Sequence, residues 1–156
     1  MRTSDRSVSA RACANRTQVS EIISVNRASR PGTVILVAED HLDSRDALKT
    51  LLEAMGYEVA VAVDGRQAVA RALDLHPSLI LMDVMMPNMD GLDATRALRK
   101  EAEMRNVPIV ALTALEGVRE RVLEAGCDDY VTKPIDLPAF LLKLERWLTV
   151  GRQQPS

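Results

Sequence analysis

The stretch from Leu79 to Asp93 (LILMDVMMPNMDGLD) constrains the fold of this chain more than any other. Its first four residues are too few for a helix of their own and too apolar for a loop, so they predict a buried strand. Pro87 and Gly91 then indicate a turn, and the apolar spacing that follows is typical of a helix. Asp83 is therefore expected where a parallel strand ends and a helix follows, the place where open α/β sheets bind ligands.

The same succession of an apolar strand and an amphipathic helix occurs five times. The predicted strands cover residues 33–40, 58–63, 79–82, 107–112 and 129–132. Apolar residues at helical spacing follow each strand, so five helices are expected, the third ending at about Ala102. This alternation predicts an α/β fold with a five-stranded parallel sheet and helices on both faces. The doubly wound, flavodoxin-like order 2-1-3-4-5 suits five units and brings the carboxyl ends of strands one and three together.

A change in composition near residue 31 sets the domain boundaries. Residues 1–30 carry six arginines against Asp5 and Glu21 with few apolar residues, and they predict a flexible Arg-rich tail. The pattern leaves open a short helix around Val19 to Val25. Residues 31–150 are assigned to the folded domain and residues 151–156 to a short C-terminal tail, so no DNA-binding output domain is expected.

Composition disfavours several classes of function. The tail has a charge balance of +4 and the rest of the chain one of −6, so direct nucleic acid binding by the domain is not expected. Cys13 and Cys127 lack the spacing of a metal site or a disulfide framework. No stretch approaches the roughly 20 apolar residues of a membrane span, and the N-terminus lacks the apolar core of a secretory signal. We expect a cytoplasmic protein.

Polar residues at the ends of four predicted strands point to chemistry. The proposed topology brings together Glu39, Asp40, Asp83, Thr113 and Lys133. Three carboxylates repel one another, but their oxygens suit Mg²⁺, a hard cation that prefers oxygen ligands. The lysine and the hydroxyl can bind phosphate oxygens. A carboxylate nucleophile in such surroundings is what phosphoryl transfer needs, with Asp83 as the candidate acceptor.

These residues give the chain a resemblance to the receiver domain of two-component response regulators, over about three quarters of its length. The matching positions are the Glu39-Asp40 pair, the segment from Asp83 to Pro87 with Asp90-Gly91, the Thr113-Ala114 pair, and DDYVTKP from Asp128 to Pro134. Their joint occurrence in the right order makes the resemblance specific.

The resemblance implies roles for individual residues. Asp83 would accept a phosphoryl group from a histidine kinase or a phosphotransfer protein. Magnesium would be held by Asp40, Asp83 and the backbone carbonyl of Met85, with Glu39 acting largely through water. Lys133 would bind a phosphoryl oxygen, and its bond to the following proline would be cis.

The resemblance also implies an output and a lifetime. Thr113 and Tyr130 would form a switch pair, changing a protein-binding surface on the fourth helix, fifth strand and fifth helix of a monomer or a phosphorylation-dependent dimer. The chain would catalyse only its own phosphorylation and slow dephosphorylation. The dephosphorylation is expected to be slow because Met85 and Leu115, the residues flanking the phosphoryl group, cannot orient an attacking water.

Several alternatives stay open from the sequence. A phosphorelay intermediate and the receiver of a hybrid kinase are close variants of the interpretation as a receiver domain. An aspartyl-nucleophile phosphatase would want a second acid where Met85 stands, and a flavin-binding protein would want a Ser/Thr-rich loop where Glu39, Asp40 and His41 stand.

Overall fold

A computed structural model describes residues 33–150 of the protein. Both predicted tails, residues 1–30 and 151–156, and the alternative helix around Val19 to Val25 lie outside the described residues.

Five parallel strands form one sheet in the order β2-β1-β3-β4-β5. The strands are β1 (Val34–Ala38), β2 (Glu58–Ala62), β3 (Leu79–Asp83), β4 (Ile109–Thr113) and β5 (Asp129–Thr132). Every residue of β3 and β4 is buried, because helices cover both faces of the sheet. The fourth strand starts later than the predicted Val107, since Pro108 lacks the N–H that a central strand needs.

Five helices connect and follow the strands: α1 (Leu42–Ala54), α2 (Gly65–Leu75), α3 (Gly91–Arg99), α4 (Arg119–Ala125) and α5 (Leu137–Val150). Within residues 33–150 the predicted fold class, strand order and number of helices are confirmed. The third helix ends at Arg99, before the predicted Ala102, and a 3-10 helix (Ala102–Met104) follows it. That change of direction places the side chain of Met104 fully inside the core.

Each face of the sheet has its own apolar core. Leu52 of α1 and Phe140 of α5 pack on one face, together with odd-numbered residues of β1 and β3. Ala72 of α2, Leu98 of α3 and Val122 of α4 pack on the other face. The sheet is therefore the middle of three layers, and the polar ends of its strands are left at one edge.

Arg99, at the end of α3, bonds to three backbone carbonyl groups and to one carboxylate. Its guanidinium donates hydrogen bonds to the carbonyl oxygens of Met104 (2.7 Å), Val107 (2.8 Å) and Gly126 (2.8 Å). It also forms an ion pair with Asp128 at 2.7 Å, in which the two side chains are 12% and 8% exposed. Because both charges are nearly removed from water, loss of either one leaves the other uncompensated.

We expect Arg99→Ala to lower the free energy of unfolding by about 3–5 kcal/mol, the usual cost of breaking a buried pair from one side. Urea unfolding followed by circular dichroism measures this change. Arg96→Ala is the matched control on the same helix, since its ion pair with Asp93 is more than half exposed and is worth at most about 1 kcal/mol. Equal effects of the two substitutions would contradict the prediction.

Candidate functional site

The strand order places the candidate site residues at one end of the sheet. Asp83 is the last residue of β3 and Thr113 the last residue of β4, and Asp83 is level with Leu112 in the register between these strands. The backbone N–H of Lys133, just after β5, donates to the carbonyl oxygen of Thr113 at 2.7 Å. Neighbouring parallel strands thus bring Asp83, Thr113 and Lys133 to the same edge, as the sequence predicts.

Three carboxylates lie together at this edge. Glu39, Asp40 and Asp83 each offer an oxygen atom, and these oxygens lie within 4.8 Å of one another. Glu39 is fully buried and Asp83 is 5% exposed, whereas Asp40 is exposed to solvent. A cluster of oxygen ligands that is open on one side fits a hard divalent cation that keeps part of its water shell.

Lys133 supplies the positive charge of the cluster. Its Nζ lies 2.6 Å from Oε2 of Glu39 and 3.3 Å from Oδ2 of Asp83. The Lys133-Pro134 peptide bond is cis, as the resemblance implies. The ammonium group therefore lies between the fully buried carboxylate and the candidate acceptor.

The surroundings shift the pKa values of Asp83, Glu39 and Lys133. Burial, together with the neighbouring Glu39 carboxylate, raises the pKa of Asp83 to about 6. Burial would also raise the pKa of Glu39, but hydrogen bonds, first of all from Lys133, outweigh it and lower that pKa. For Lys133, burial opposes the charge, yet the two carboxylates outweigh it and raise the pKa. Glu39 and Lys133 thus stay ionised at neutral pH, and Asp83 is largely ionised there but takes up a proton at a higher pH than an ordinary aspartate.

The loop of residues 84–90 runs directly past the acceptor. The backbone N–H of Met85 donates to Oδ1 of Asp83 at 3.2 Å, and the Met85 side chain is 62% exposed. The N–H of Gly91 donates to the carbonyl oxygen of Val84 at 3.0 Å. A Cβ atom on Gly91 would lie only 2.0 Å from the carbonyl oxygen of Asp83, so this close return of the chain requires glycine. The metal role of the Met85 carbonyl stays a prediction.

The two candidate switch residues lie on neighbouring strands. Thr113 is fully buried, and its Oγ1 accepts a hydrogen bond from the N–H of Leu115 at 3.0 Å. Tyr130 on β5 is half-buried, and Nζ of Lys143 on α5 lies 5.3 Å from the centre of its ring. The movement of this pair on phosphorylation stays a prediction.

Sequence reasoning missed two sets of contacts near the site. Lys143 contacts both the ring and the carbonyl oxygen of Tyr130, although its own position in α5 is that of an ordinary amphipathic-helix lysine. Asp64 accepts a hydrogen bond from Asn88 across two loops. The only sequence signal for the second contact is that both residues belong to turns, which does not reveal that the turns meet.

Comparison with known proteins agrees with this doubly wound domain and its acidic, lysine-bearing edge. Residues 35–145 match the model of the response regulator receiver domain family. The polar-differentiation response regulator DivK of Brucella ovis is 35% identical over 116 residues, which cover 73% of this chain and 94% of that protein. The chain therefore belongs to the response regulator receiver family of two-component signalling proteins.

Solved structures agree on the fold. The receiver domain of sensor histidine kinase PA1611 from Pseudomonas aeruginosa, which has a magnesium ion in its active-site cleft, shows 40% identity and a TM-score of 0.71, covering 76% of this chain and 98% of that one. The chemotaxis protein CheY4 of Vibrio cholerae shows 29% identity and a TM-score of 0.68, covering 75% and 98%. The co-crystal structure of the Saccharomyces cerevisiae phosphotransfer protein Ypd1 with the receiver domain of Ssk1 contains a similar chain. That chain shows 29% identity and a TM-score of 0.70, covering 77% of this chain and 91% of that one.

Within residues 33–150, none of the helices has the length and apolar character to cross a membrane.

The raised pKa of Asp83 predicts a pH-dependent stability of the protein in the presence of a metal chelator. The folded protein holds the Asp83 proton more tightly than the unfolded chain, so the contribution of Asp83 to the free energy of unfolding falls as the pH rises from the unfolded pKa of 3.8 to about 6. Asp83→Asn removes this penalty and should raise the free energy of unfolding at pH 7.5 by roughly 1–3 kcal/mol, with little effect near pH 4. Urea unfolding at the two pH values measures the difference.

Addition of excess MgCl₂ is the internal control for that experiment. A cation bound by the carboxylates stabilises the wild-type protein more than the variant. The difference in the free energy of unfolding between Asp83→Asn and the wild type at pH 7.5 should therefore become smaller. Equal stability of wild type and variant in chelator at pH 7.5 would contradict the raised pKa.

Proposed function

We propose that the protein accepts a phosphoryl group on Asp83 from a histidine kinase or a histidine phosphotransfer protein, and signals through a surface that responds to this phosphorylation. One observation carries the proposal: Asp83 ends β3 beside Lys133 and within a three-carboxylate cluster, a combination suited to accepting a phosphoryl group. Membership of the receiver family supports it.

The transfer itself makes one bond and breaks one bond. A carboxylate oxygen of Asp83 attacks the phosphorus atom of a phosphohistidine, and the P–N bond breaks with its electron pair returning to the imidazole. The product is an acyl phosphate. Because the pKa of Asp83 is about 6, this carboxylate is largely ionised, and hence nucleophilic, at neutral pH. Lys133 Nζ, 3.3 Å from Oδ2 of Asp83, is placed to pair with an oxygen of the arriving phosphoryl group.

Asp40, Asp83 and the Met85 carbonyl would hold Mg²⁺, with Glu39 acting largely through water. The carboxylate cluster fits this role because its three oxygens lie within 4.8 Å of one another and Asp40 faces solvent. Bound Mg²⁺ supplies positive charge that neutralises the phosphoryl oxygens during transfer. The magnesium ion in the PA1611 receiver supports this assignment.

The phosphodonor would approach over a groove between α1 and the start of α5. This groove has a volume of about 480 Å³, and its lining includes Glu39 and Lys133. Partly exposed apolar side chains, among them Leu51, Ile135 and Leu137, also line it. An apolar surface beside the acceptor fits a protein donor rather than a small one, and the Ypd1–Ssk1 complex is a precedent for such a partner in the family.

The output surface would be the face of α4, β5 and α5. Thr113 would move toward the phosphoryl group and the ring of Tyr130 would turn inward, changing this face. Leu123 on α4 and Leu142 on α5 are about half exposed and would offer apolar contacts to a protein partner. We place the protein in the cytoplasm, as a monomer or a phosphorylation-dependent dimer without direct contact to nucleic acid.

A receiver that belongs to a hybrid kinase or passes its phosphoryl group onward is the second candidate. The 40% identity to the receiver of sensor histidine kinase PA1611 favours it. The similarity to DivK, a protein that the matched region covers to 94%, favours a single-domain regulator. Both candidates share the acceptor and the chemistry proposed here.

Incubation with Mg²⁺ and a small phosphodonor such as acetyl phosphate should give one phosphate per chain. The product should be stable in acid and labile in alkali, as expected of an acyl phosphate. Asp83→Ala should abolish the modification, since it removes the attacking oxygen. Intact mass spectrometry measures the added phosphate. Asp74→Ala, at an exposed carboxylate on α2, is the control and should leave it unchanged.

The phosphorylated protein is expected to lose its phosphate slowly. We expect Met85 and Leu115, which are 62% and 40% exposed, to flank the phosphoryl group, where their apolar side chains offer no hydrogen bond to an attacking water. Met85→Asn supplies such a bond and should speed the decay about fivefold, the rate equivalent of about 1 kcal/mol. The measurement is the loss of phosphorylated Asp83 with time after removal of the donor.

Met85→Leu is the matched control for this measurement. It keeps an apolar side chain of similar volume without adding a polar group, so its decay should equal that of the wild type. Unchanged or slower decay in Met85→Asn would contradict the prediction.

A further inference from the structure

The loop of residues 84–90 is tied to the start of α2 by two hydrogen bonds. The side-chain Nδ2 of Asn88 donates to Oδ2 of Asp64 at 3.0 Å. The backbone N–H of Gly65 donates to the carbonyl oxygen of Met89 at 3.0 Å. Two successive residues of one loop thus meet two successive residues of another, and the link joins the segment before α2 to the segment after Asp83.

The backbones of Asn88 and Gly65 each have a feature that permits these two hydrogen bonds. Asn88 has a φ of 67°, a left-handed backbone conformation that asparagine tolerates better than most residues. A Cβ atom on Gly65 would lie 2.2 Å from the carbonyl oxygen of Met89, so only glycine permits the approach. The two loops are therefore held at a fixed separation by a side-chain pair and a backbone pair.

The same loop carries the groups that surround the acceptor. Met85 precedes Asn88 by three residues, and its N–H donates to Oδ1 of Asp83 at 3.2 Å. Gly91 closes the other end of the loop through its hydrogen bond to the Val84 carbonyl. The Asp64–Asn88 pair acts on the exposed apex between these two anchors, where Asn88 itself faces solvent. Displacement of this apex is expected to turn the peptide group between Met85 and Met86, which carries the Met85 carbonyl oxygen.

We propose that Asp64 and Asn88 are positioning residues for the metal site, holding the loop of residues 84–90, in which the Met85 carbonyl would serve as a magnesium ligand. This inference rests on the proposed function, in which that carbonyl is a magnesium ligand. Neither residue belongs to the carboxylate cluster of Glu39, Asp40 and Asp83. Their contribution is to fix a neighbouring ligand before the cation arrives, which lowers the cost of binding.

A simpler role for Asp64 is capping of α2. Its Oδ1 accepts a hydrogen bond from the N–H of Gln67 at 2.8 Å, which is the usual N-cap contact. Asparagine caps helices as well as aspartate does. Capping alone therefore predicts that changes at Asn88 leave magnesium binding untouched, whereas the positioning role predicts that they weaken it.

The test exchanges the partners of the pair. Asn88→Asp places a second carboxylate against Asp64 and replaces the hydrogen bond by repulsion. The double variant Asp64→Asn with Asn88→Asp restores a donor facing an acceptor, keeps the α2 cap and keeps the net charge of the wild type. The Kd for Mg²⁺ is measured by titration calorimetry on the unphosphorylated proteins, and the rate of phosphorylation by acetyl phosphate is measured at limiting Mg²⁺.

We expect Asn88→Asp to raise the Kd for Mg²⁺ about fivefold, as loss of one hydrogen bond would, and the double variant to return to within about twofold of the wild type. The direction of the change in Kd for Asn88→Asp distinguishes an effect of charge from a displacement of the loop. An added carboxylate near a cation site strengthens binding through its charge alone, so weaker binding identifies displacement of the loop. Slower phosphorylation at limiting Mg²⁺ should accompany it and be restored in the double variant.

Three results would overturn the inference. They are an unchanged or lower Kd in Asn88→Asp, a double variant that binds as weakly as the single one, and a phosphorylation rate at limiting Mg²⁺ that Asn88→Asp leaves unchanged. If the wild-type protein binds Mg²⁺ and is phosphorylated on Asp83 while one of these results is found, only the positioning role falls. If the wild-type protein does neither, the proposed function falls and the inference falls with it.

Discussion

The ion pairs of Lys133 are the interaction on which the site depends. Glu39 is fully buried at the end of β1, and an uncompensated carboxylate there would cost several kcal/mol. Lys133 compensates it at 2.6 Å and reaches Asp83 at 3.3 Å, while its backbone N–H bonds to Thr113 on the neighbouring strand. One residue thus joins the ends of β1, β3 and β4 and offsets part of their negative charge. The remaining excess of carboxylate over ammonium is what makes the site receptive to a cation.

The parallel sheet explains why so much could be predicted from the sequence. A strand covered on both faces must be apolar throughout, so β3 and β4 stand out as short apolar runs between turn residues. The polar residue that ends such a run lies at the carboxyl edge, and this placed Asp83 and Thr113 correctly relative to one another. Local pattern was sufficient for these residues because their position follows directly from the strand that carries them.

Contacts between distant segments could not be predicted in the same way. Arg99 closes an amphipathic helix like many other arginines, and only the three-dimensional structure shows its hydrogen bonds to Met104, Val107 and Gly126. The meeting of Asp64 with Asn88 depends on how closely two loops approach, which neither loop encodes alone. The early end of α3 is a further case, because no helix-stop residue marks it and the burial of Met104 in the following 3-10 helix is a tertiary feature. Tertiary packing decides such features, and it overrides local preference.

The outer edge of the sheet at β5 bears on how a partner can be recognised. β5 is an edge strand, yet the N–H of Tyr130 donates to Oδ1 of Asp129 and its carbonyl oxygen accepts from Lys143, both at 2.8 Å. Lys143 also pairs with Asp129 at 3.1 Å, and Trp147 donates to the same carboxylate. A foreign strand would have to displace these side chains before it could extend the sheet. As long as these contacts are intact, a partner binds this face through side chains and not by adding a strand. The same contacts disfavour aggregation by strand pairing at this edge.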